Sequence, residues 1–316
     1  MTTLKPADAL AQHWTDRLPA ALKPFAQLSR LDRPIGWQLL FLPCLMGIAL
    51  AETQEGFWLE DGWLALRLLI GAIAMRGAGC TWNDILDRKI DAEVARTRSR
   101  PIPSGRVSVR GAISWMAAQC GVGLLVLLSL PTVAQWTALA AIPLVALYPL
   151  MKRVTWWPQA WLGLCFSWGA LVASAAVRGT ITADAIALYA GCIAWTIAYD
   201  TIYALQDVED DALVGVRSTA RLFGARWRDW TLGFYVTALV LWAVAAALAG
   251  SLLVTGVGLG VIGATLIWRA VADVDEADTA TALKAFKANA VIGLAVAGAF
   301  ALAGAWRTVG PFLGAP

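Results

Sequence analysis

Residues 63–91 read WLALRLLIGAIAMRGAGCTWNDILDRKID, an apolar run that passes without a break into Asn83, Asp84, Asp87 and Asp91. A helix needs about 20 residues to cross the hydrocarbon core of a bilayer, and residues 63–83 supply that length. Continued past Asn83 as helix, the sequence places Asn83, Asp87 and Asp91 at i, i+4 and i+8, one polar stripe at the mouth of a membrane span. Carboxylates four residues apart repel each other, so the stripe calls for a cation: Arg88, Lys89 or a metal ion.

Working outward, apolar runs of similar length recur at 34–52, 109–130, 132–150, 158–177, 183–206, 229–250, 252–272 and 287–307, nine spans with the one just quoted. The composition agrees: of 316 residues, 59% are hydrophobic and 15% charged, and the mean hydropathy is +0.64, above the range of soluble domains. The expected fold is all-α, a polytopic membrane protein with nine transmembrane helices bundled around a central cavity. Residues 1–33 are expected as a cytoplasmic tail, 34–307 as the transmembrane domain and 308–316 as a C-terminal tail. Within the N-terminal tail, the stretch from Ala9 to Leu28 is amphipathic enough to lie on the membrane surface. No apolar core with a small-residue cleavage site follows the initiator Met, so no removable signal peptide is expected. The five cysteines sit in or at the ends of apolar spans without CxxC spacing, and read as packing rather than disulfides or zinc ligands.

Lys and Arg are distributed unevenly across these spans. With the N-terminus on the cytoplasmic side, 21 of the 25 fall on that side, whereas the opposite side holds Arg178 and Arg307 and the second span holds Arg67 and Arg76. Translocation of short basic loops is disfavoured, so the N-terminus reads as cytoplasmic and, after nine spans, the C-terminus as external.

Ionisable groups at membrane depth are costly and usually face an interior cavity. A second concentration ends the sixth span, Tyr199-Asp200-Thr201-Ile202-Tyr203-Ala204-Leu205-Gln206-Asp207-Val208-Glu209-Asp210-Asp211. Asp207 and Asp211 repeat the four-residue spacing, and Asp200 lies two turns deeper. One acidic helix end is commonly a solvated loop. Two with matched spacing on the same side suit a diphosphate bridged by Mg²⁺, which is held by one or two carboxylates plus phosphate oxygens and water. No GxxxxGK[ST] cradle is present, which argues against a P-loop phosphate site.

Basic loops follow both acidic segments: Arg96, Arg98, Arg100 and Arg106 in a Pro/Gly-shaped loop, and Arg217 and Arg221 between Gly215 and Gly224. Such arginines suit charge-assisted bonds to phosphate, and equally a topology signal or contact with anionic headgroups. Tyr148-Pro149-Leu150-Met151-Lys152-Arg153 forms a further basic turn between the fourth and fifth spans. Arg76, seven residues before Asn83 and so on its face, requires a carboxylate partner, either Asp200 or one on a substrate. Trp58, Trp63, Trp156 and Trp157 lie near span ends and read as interfacial anchors. The chain's one histidine, His13, lies in the tail, away from every polar cluster.

These motifs resemble those of the UbiA superfamily of intramembrane prenyltransferases. Asn83 to Asp91 is similar to its NDxxDxxxD motif, Arg96-Thr97 through Gly105 to the R-T-x-x-R-P-[IL]-P-S-G sequence behind it, and Tyr199 to Asp211 to YDTxYAxxDxxDD. Leu31 to Gly36 and Lys284-Ala285-Phe286 match shorter patterns. The YDTxYA stretch, the Tyr148 to Arg153 turn and Arg217-Ser218-Thr219 look most like the branch of ubiquinone biosynthesis that acts on 4-hydroxybenzoate. The resemblance implies Mg²⁺-dependent transfer of a polyprenyl group from polyprenyl diphosphate onto the ring, ortho to the phenol, at a bacterial inner membrane. It implies metal ligands among Asn83, Asp84, Asp87, Asp91, Asp207 and Asp211, and catalytic roles for Asp87, Asp200, Asp207, Asp211 and Arg153. Arg76, Arg98, Arg100, Tyr148, Lys152 and Tyr203 would bind substrate. Asp200 would orient the phenol, steer the cation or pair with Arg76. Partners are the two substrates and the bilayer, with no nucleic acid. Other UbiA branches, making haem O, a chlorophyll or a menaquinone precursor, and a transporter are the competing readings.

Overall fold

The computed structural model describes residues 12–93, 97–213, 215–276 and 278–309, with the backbone only of Asp210 and Val309. Among the described residues the fold is all-helical, and nine helical stretches are long and apolar enough to cross a membrane: Ile35–Glu55, Leu59–Glu93, Val109–Leu128, Thr132–Val154, Pro158–Arg178, Ala183–Asp207, Thr219–Leu248, Leu252–Ala272 and Thr279–Thr308. The chain is an integral membrane protein. In chain order the α-helices are α1 (Lys23–Leu28), α2 (Ile35–Glu55), α3 (Leu59–Glu93), α4 (Val109–Leu128), α5 (Thr132–Ala140), α6 (Ile142–Val154), α7 (Pro158–Ser167) and α8 (Gly169–Arg178). They continue with α9 (Ala183–Ala204), α10 (Val208–Leu213), α11 (Thr219–Phe223), α12 (Trp227–Leu248), α13 (Leu252–Ile262), α14 (Trp268–Ala272) and α15 (Thr279–Val309).

The fourth and fifth spans are each made of two helices, yet the joints at Ala141 (φ −75°, ψ −20°) and Trp168 (φ −57°, ψ −27°) keep right-handed helical angles. No stretch of unwound backbone opens there of the kind that transporters use to bind ions. In the eighth span, a π-turn over Gly263–Ile267 joins α13 to α14.

The chain folds as two compact units, Met1–Gln38 with Arg67–Ser129, and Leu39–Leu66 with Leu130–Pro316. In the first, α1 is not a loose tail. Leu28 is fully buried in a cluster with Ile85, Ile102, Val107 and Ala112, and Phe25 and Trp115 close its edge with ring centroids 5.4 Å apart. Ser29 adds a polar pin, donating to Gln119 Oε1 at 3.0 Å and accepting from Trp115 Nε1 at 2.7 Å. Residues 12–33 therefore belong to the folded unit, because α1 has an apolar surface of protein to join. Arg67, an arginine within a span, reaches the end of α4 and donates to the Ser129 carbonyl at 2.6 Å.

The second unit is organised around α9, against which α7, α8, α12 and α15 pack. Lipid tails are as apolar as leucine, so such packing depends on close fit and buried polar bonds rather than on the hydrophobic effect. Gly191 shows the fit: a Cβ there would lie 2.6 Å from the Trp242 ring. At Gly47 a Cβ would stand 2.4 Å from the Ala170 carbonyl oxygen, so α2 and α8 touch backbone to backbone. Asn289 supplies the polar bonds, its Oδ1 accepting from Trp195 Nε1 at 2.8 Å and from the Tyr235 hydroxyl at 2.9 Å. At the start of α9, Arg178 donates to Asp184 at 2.6 Å and to the Leu50 carbonyl at 2.9 Å, joining α8, α9 and α2.

Candidate active site

The first acidic segment is the end of one unbroken helix. At 1.5 Å per residue the 35 residues of α3 span about 52 Å, against about 30 Å of hydrocarbon, so the helix projects well beyond the membrane core. Asn83 and Asp87 meet one turn apart, with Asn83 Nδ2 donating to Asp87 Oδ2 at 3.2 Å. Asp87 is 1% exposed.

Asp84, expected among the metal ligands, has other partners. Both its oxygens accept from Arg30 Nη2, at 2.7 and 3.0 Å, and Arg100 Nη1 stands 3.4 Å away. Asp84 is completely buried. Arg100, expected on substrate phosphate, donates to Asp91 Oδ2 at 2.8 Å and so bridges two carboxylates of its own unit. The reason is angular drift. Each i, i+4 step turns about 40° around a helix of 3.6 residues per turn, so Asp91 has turned about 80° from Asn83 but lies within about 20° of Asp84. The stripe divides into an Asn83/Asp87 pair and an Asp84/Asp91 pair, and the second carries the guanidinium groups. Burial opposes the charge on Arg30, but Asp84 and Asp32 beside it outweigh that and raise its pKa above the ordinary arginine value. Sequence reasoning missed Arg30; its place directly before the Leu31 to Gly36 motif was the available signal.

The loop behind this segment is folded by its own bonds. Thr97 Oγ1 donates to the Asp91 carbonyl at 2.9 Å, Arg106 donates to Gln27 Oε1 at 2.8 Å and to the Ser99 carbonyl at 2.6 Å, and Ile102 is buried. Arg98 is exposed, and Arg96 lies outside the described residues. Arg76 is half-buried and packs on Gly36, where a Cβ would meet its Nε at 2.7 Å. Gly36 thus leaves room for the guanidinium.

The second acidic segment is not one continuous α-helix. After Ala204 the chain tightens into a 3₁₀ turn, Leu205–Asp207, before α10 resumes at Val208. A 3₁₀ turn advances about 120° per residue rather than about 100°, so three such residues rotate Asp207 and Asp211 by roughly 60° relative to Asp200. The three aspartates expected on nearly one face are therefore fanned apart. Asp210 keeps its place in α10, its side chain lying outside the described atoms.

The basic turn at the end of α6 is brought to this segment. The Arg217 backbone N–H donates to the Lys152 carbonyl at 3.0 Å, and its guanidinium to the Val154 carbonyl at 2.7 Å. Arg221 donates to the carbonyls of Asp211 (3.4 Å) and Val216. Arg217 and Arg221 also stand over Trp156, at 5.8 and 5.4 Å from its centroid, so this tryptophan serves the loop as well as any interface. Thr201 fastens the arrangement from below: its hydroxyl meets that of Thr219 at 2.6 Å, and the Thr219 N–H donates to Gln159 Oε1 at 3.0 Å. Lys152, with Arg153 the next residue, is thus tied through its carbonyl to the loop that also holds the Asp211 carbonyl. Deeper on α9, Tyr203 packs on Phe286 at 4.5 Å and Tyr199 on Trp195 at 5.1 Å, an aromatic set beside Asp200.

The donors offered by both segments are amide and carboxylate oxygens, the chemistry that Mg²⁺ prefers. Among the described residues no three carboxylate, thiol or imidazole side chains converge.

The sequence profile described as the UbiA prenyltransferase family matches residues 40–291. Among curated proteins, the mitochondrial 4-hydroxybenzoate polyprenyltransferase of Drosophila pseudoobscura pseudoobscura is 42% identical over 294 residues, 93% of this chain and 72% of that one. Among solved structures, the apo UbiA homologue from Aeropyrum pernix K1 superimposes with a TM-score of 0.63 at 23% identity, covering 84% of this chain and 97% of that one. A UbiA homologue from Archaeoglobus fulgidus, bound to GPP and Mg²⁺, gives 0.57 at 18% identity, covering 87% and 99%. With the helical fold, the paired acidic segments and these likenesses together, the chain belongs to the UbiA prenyltransferase family.

Proposed function

We propose that this protein transfers a polyprenyl group from polyprenyl diphosphate to the ring of 4-hydroxybenzoate, ortho to the phenol, in ubiquinone biosynthesis. The observation that carries the reading is the second unit's loop cluster, in which the Lys152 carbonyl accepts from Arg217 and the Asp211 carbonyl from Val216 and Arg221 of one loop, beside the family match over residues 40–291. Similarity to a relative named for this reaction supports the choice of acceptor.

Asn83 and Asp87 of the first segment and Asp207 and Asp211 of the second would supply oxygen ligands to Mg²⁺, with Asp91 adding charge beside Arg100. The metal would withdraw charge from the diphosphate and position it. Lys152, Arg153 and Arg98 bind the phosphate oxygens, Arg153 compensating the charge that develops as the allylic C–O bond breaks and the diphosphate leaves with the electron pair. The ring carbon ortho to the phenol then attacks C1 of the allyl group and loses its proton, which restores aromaticity. Asp200 orients the phenol, Arg76 takes the acceptor carboxylate, and Tyr148 and Tyr203 line the path of the prenyl chain. Exclusion of water by the apolar walls protects the cation from hydrolysis.

The membrane is a bacterial inner membrane, with the N-terminus and both acidic segments on the cytoplasmic side; the one-sided distribution of Lys and Arg supports that orientation. Reporter fusions at Trp306 and within the 151–157 turn test it, and a cytoplasmic C-terminus would reverse it. The reaction is tested with membranes supplied with ring-labelled 4-hydroxybenzoate and polyprenyl diphosphate. Mass spectrometry is expected to find the ring-prenylated acid, and inertness towards 4-hydroxybenzoate with turnover of another acceptor would sink the assignment.

A further inference from the structure

We propose that Arg30 is a positioning residue for metal binding, acting through Asp84 to hold the end of α3 in the rotation at which Asn83 and Asp87 present their oxygens. The role rests on the metal-dependent reading above.

Two independent observations meet at Arg30. The first is its pairing with Asp84, 54 positions away in sequence, in which Nη2 donates to both carboxylate oxygens at 2.7 and 3.0 Å, with the carboxylate completely buried. A third acceptor holds the guanidinium's other end, since Arg30 Nη1 donates to the Gln27 carbonyl at 2.8 Å. The second is its backbone: among the described residues Arg30 is the one non-glycine with positive φ, at 54°. It follows the end of α1, where Leu31 N–H reaches back to the Ala26 carbonyl at 3.0 Å, a helix-ending geometry that glycine takes without strain and arginine does not. Such strain persists where surrounding contacts over-determine it, and here it aims a guanidinium into the polar end of α3.

The consequence lies in the angles around α3. Asp84 sits about 100° from Asn83 and about 60° from Asp87, so a guanidinium fixed on Asp84 fixes where the other two point. Without Arg30, Asp84 becomes a buried carboxylate left, among the described residues, with the 3.4 Å approach of Arg100, and α3 must turn or fray to hydrate it. The Asn83/Asp87 pair then loses its register even though neither residue has changed.

The test is Mn²⁺ binding to the full-length protein in detergent, read by EPR with a non-hydrolysable prenyl diphosphate analogue, so that no turnover is needed. Arg30→Gln is expected to weaken Mn²⁺ about tenfold or more, the usual effect of removing a group that orients a metal ligand. Arg30→Lys, which keeps the charge but not the fork, is expected to recover most of that loss. Asp84→Asn should match Arg30→Gln, and the double variant should be no worse than either. Unchanged Mn²⁺ affinity in folded Arg30→Gln overturns the proposal, as do additive losses in the double variant, which would make Asp84 a ligand in its own right. If Arg30→Gln does not yield folded protein, Arg30→Lys and Asp84→Asn decide on the same criteria. Absence of Mn²⁺ binding by the unmutated protein would instead overturn the metal-dependent function itself.

Discussion

The two acidic segments use the same residues in opposite ways. In the first, arginines are placed on carboxylates: Arg30 on Asp84, Arg100 on Asp91 and Asp84. In the second, arginines are placed on backbone: Arg217 on the Val154 carbonyl, Arg221 on those of Asp211 and Val216. The first sits on an uninterrupted helix whose rotation has to be fixed from outside. The second crosses a 3₁₀ turn and a loop, whose shape has to be fixed from within. A carboxylate stripe on a rigid rod needs an orienting partner, whereas one on a bent segment needs its carbonyls tied.

The comparison breaks first at the metal. Asp87→Ala and Asp207→Ala should each lower prenyl transfer about a thousandfold, the scale on which removal of a group stabilising transition-state charge acts, with thermal unfolding in detergent little changed. Full Mg²⁺-dependent activity in either variant would remove its segment from the site. Arg100→Ala should cost about tenfold in activity, chiefly as a higher Mg²⁺ concentration for half-maximal rate. A rise confined to the KM for polyprenyl diphosphate would return Arg100 to the phosphate instead.

Thr201→Val tests the inner fastening of the second segment. It removes one hydroxyl of a buried pair 2.6 Å apart, and should cost about 1–2 kcal/mol of stability, seen as a lowered Tm in detergent; an unchanged Tm would show that Thr219 finds another partner. The smallest effect is expected for Arg217→Ala, with its guanidinium bond near the surface: a KM for the diphosphate raised about threefold, corresponding to about 0.7 kcal/mol, with kcat nearly constant. An equal fall in kcat and kcat/KM, with KM unchanged, would place Arg217 in the chemistry.

Much of this was legible from residue type and spacing. Bilayer length and apolarity demand helices wherever an apolar run is long enough, because the backbone has no other way to satisfy its polar groups in lipid, and the nine runs became nine spanning stretches. The acidic segments were legible because two span ends share carboxylates at matched four-residue spacing, where one alone would be ordinary. Misread were features that depend on angle rather than spacing. The Asn83, Asp87, Asp91 stripe divided because 40° of drift per step accumulates, and Asp200 parted from Asp207 because three residues chose 3₁₀ over α geometry. Residues 12–33 read as a tail because their apolar partners, Ile85, Ile102 and Ala112, are distant in sequence.

The amino-acid sequence by itself determined the membrane class, the nine apolar helical stretches found among the described residues and which two segments carry the acids. Each of these follows from local composition acting against a solvent of known thickness. Only the tertiary structure decided how those acids are used: Arg30 meets Asp84 across 54 residues, and Asn289 joins Trp195 and Tyr235. Such pairings satisfy buried polar groups with partners that no local rule can name, since what selects them is the packing of whole helices.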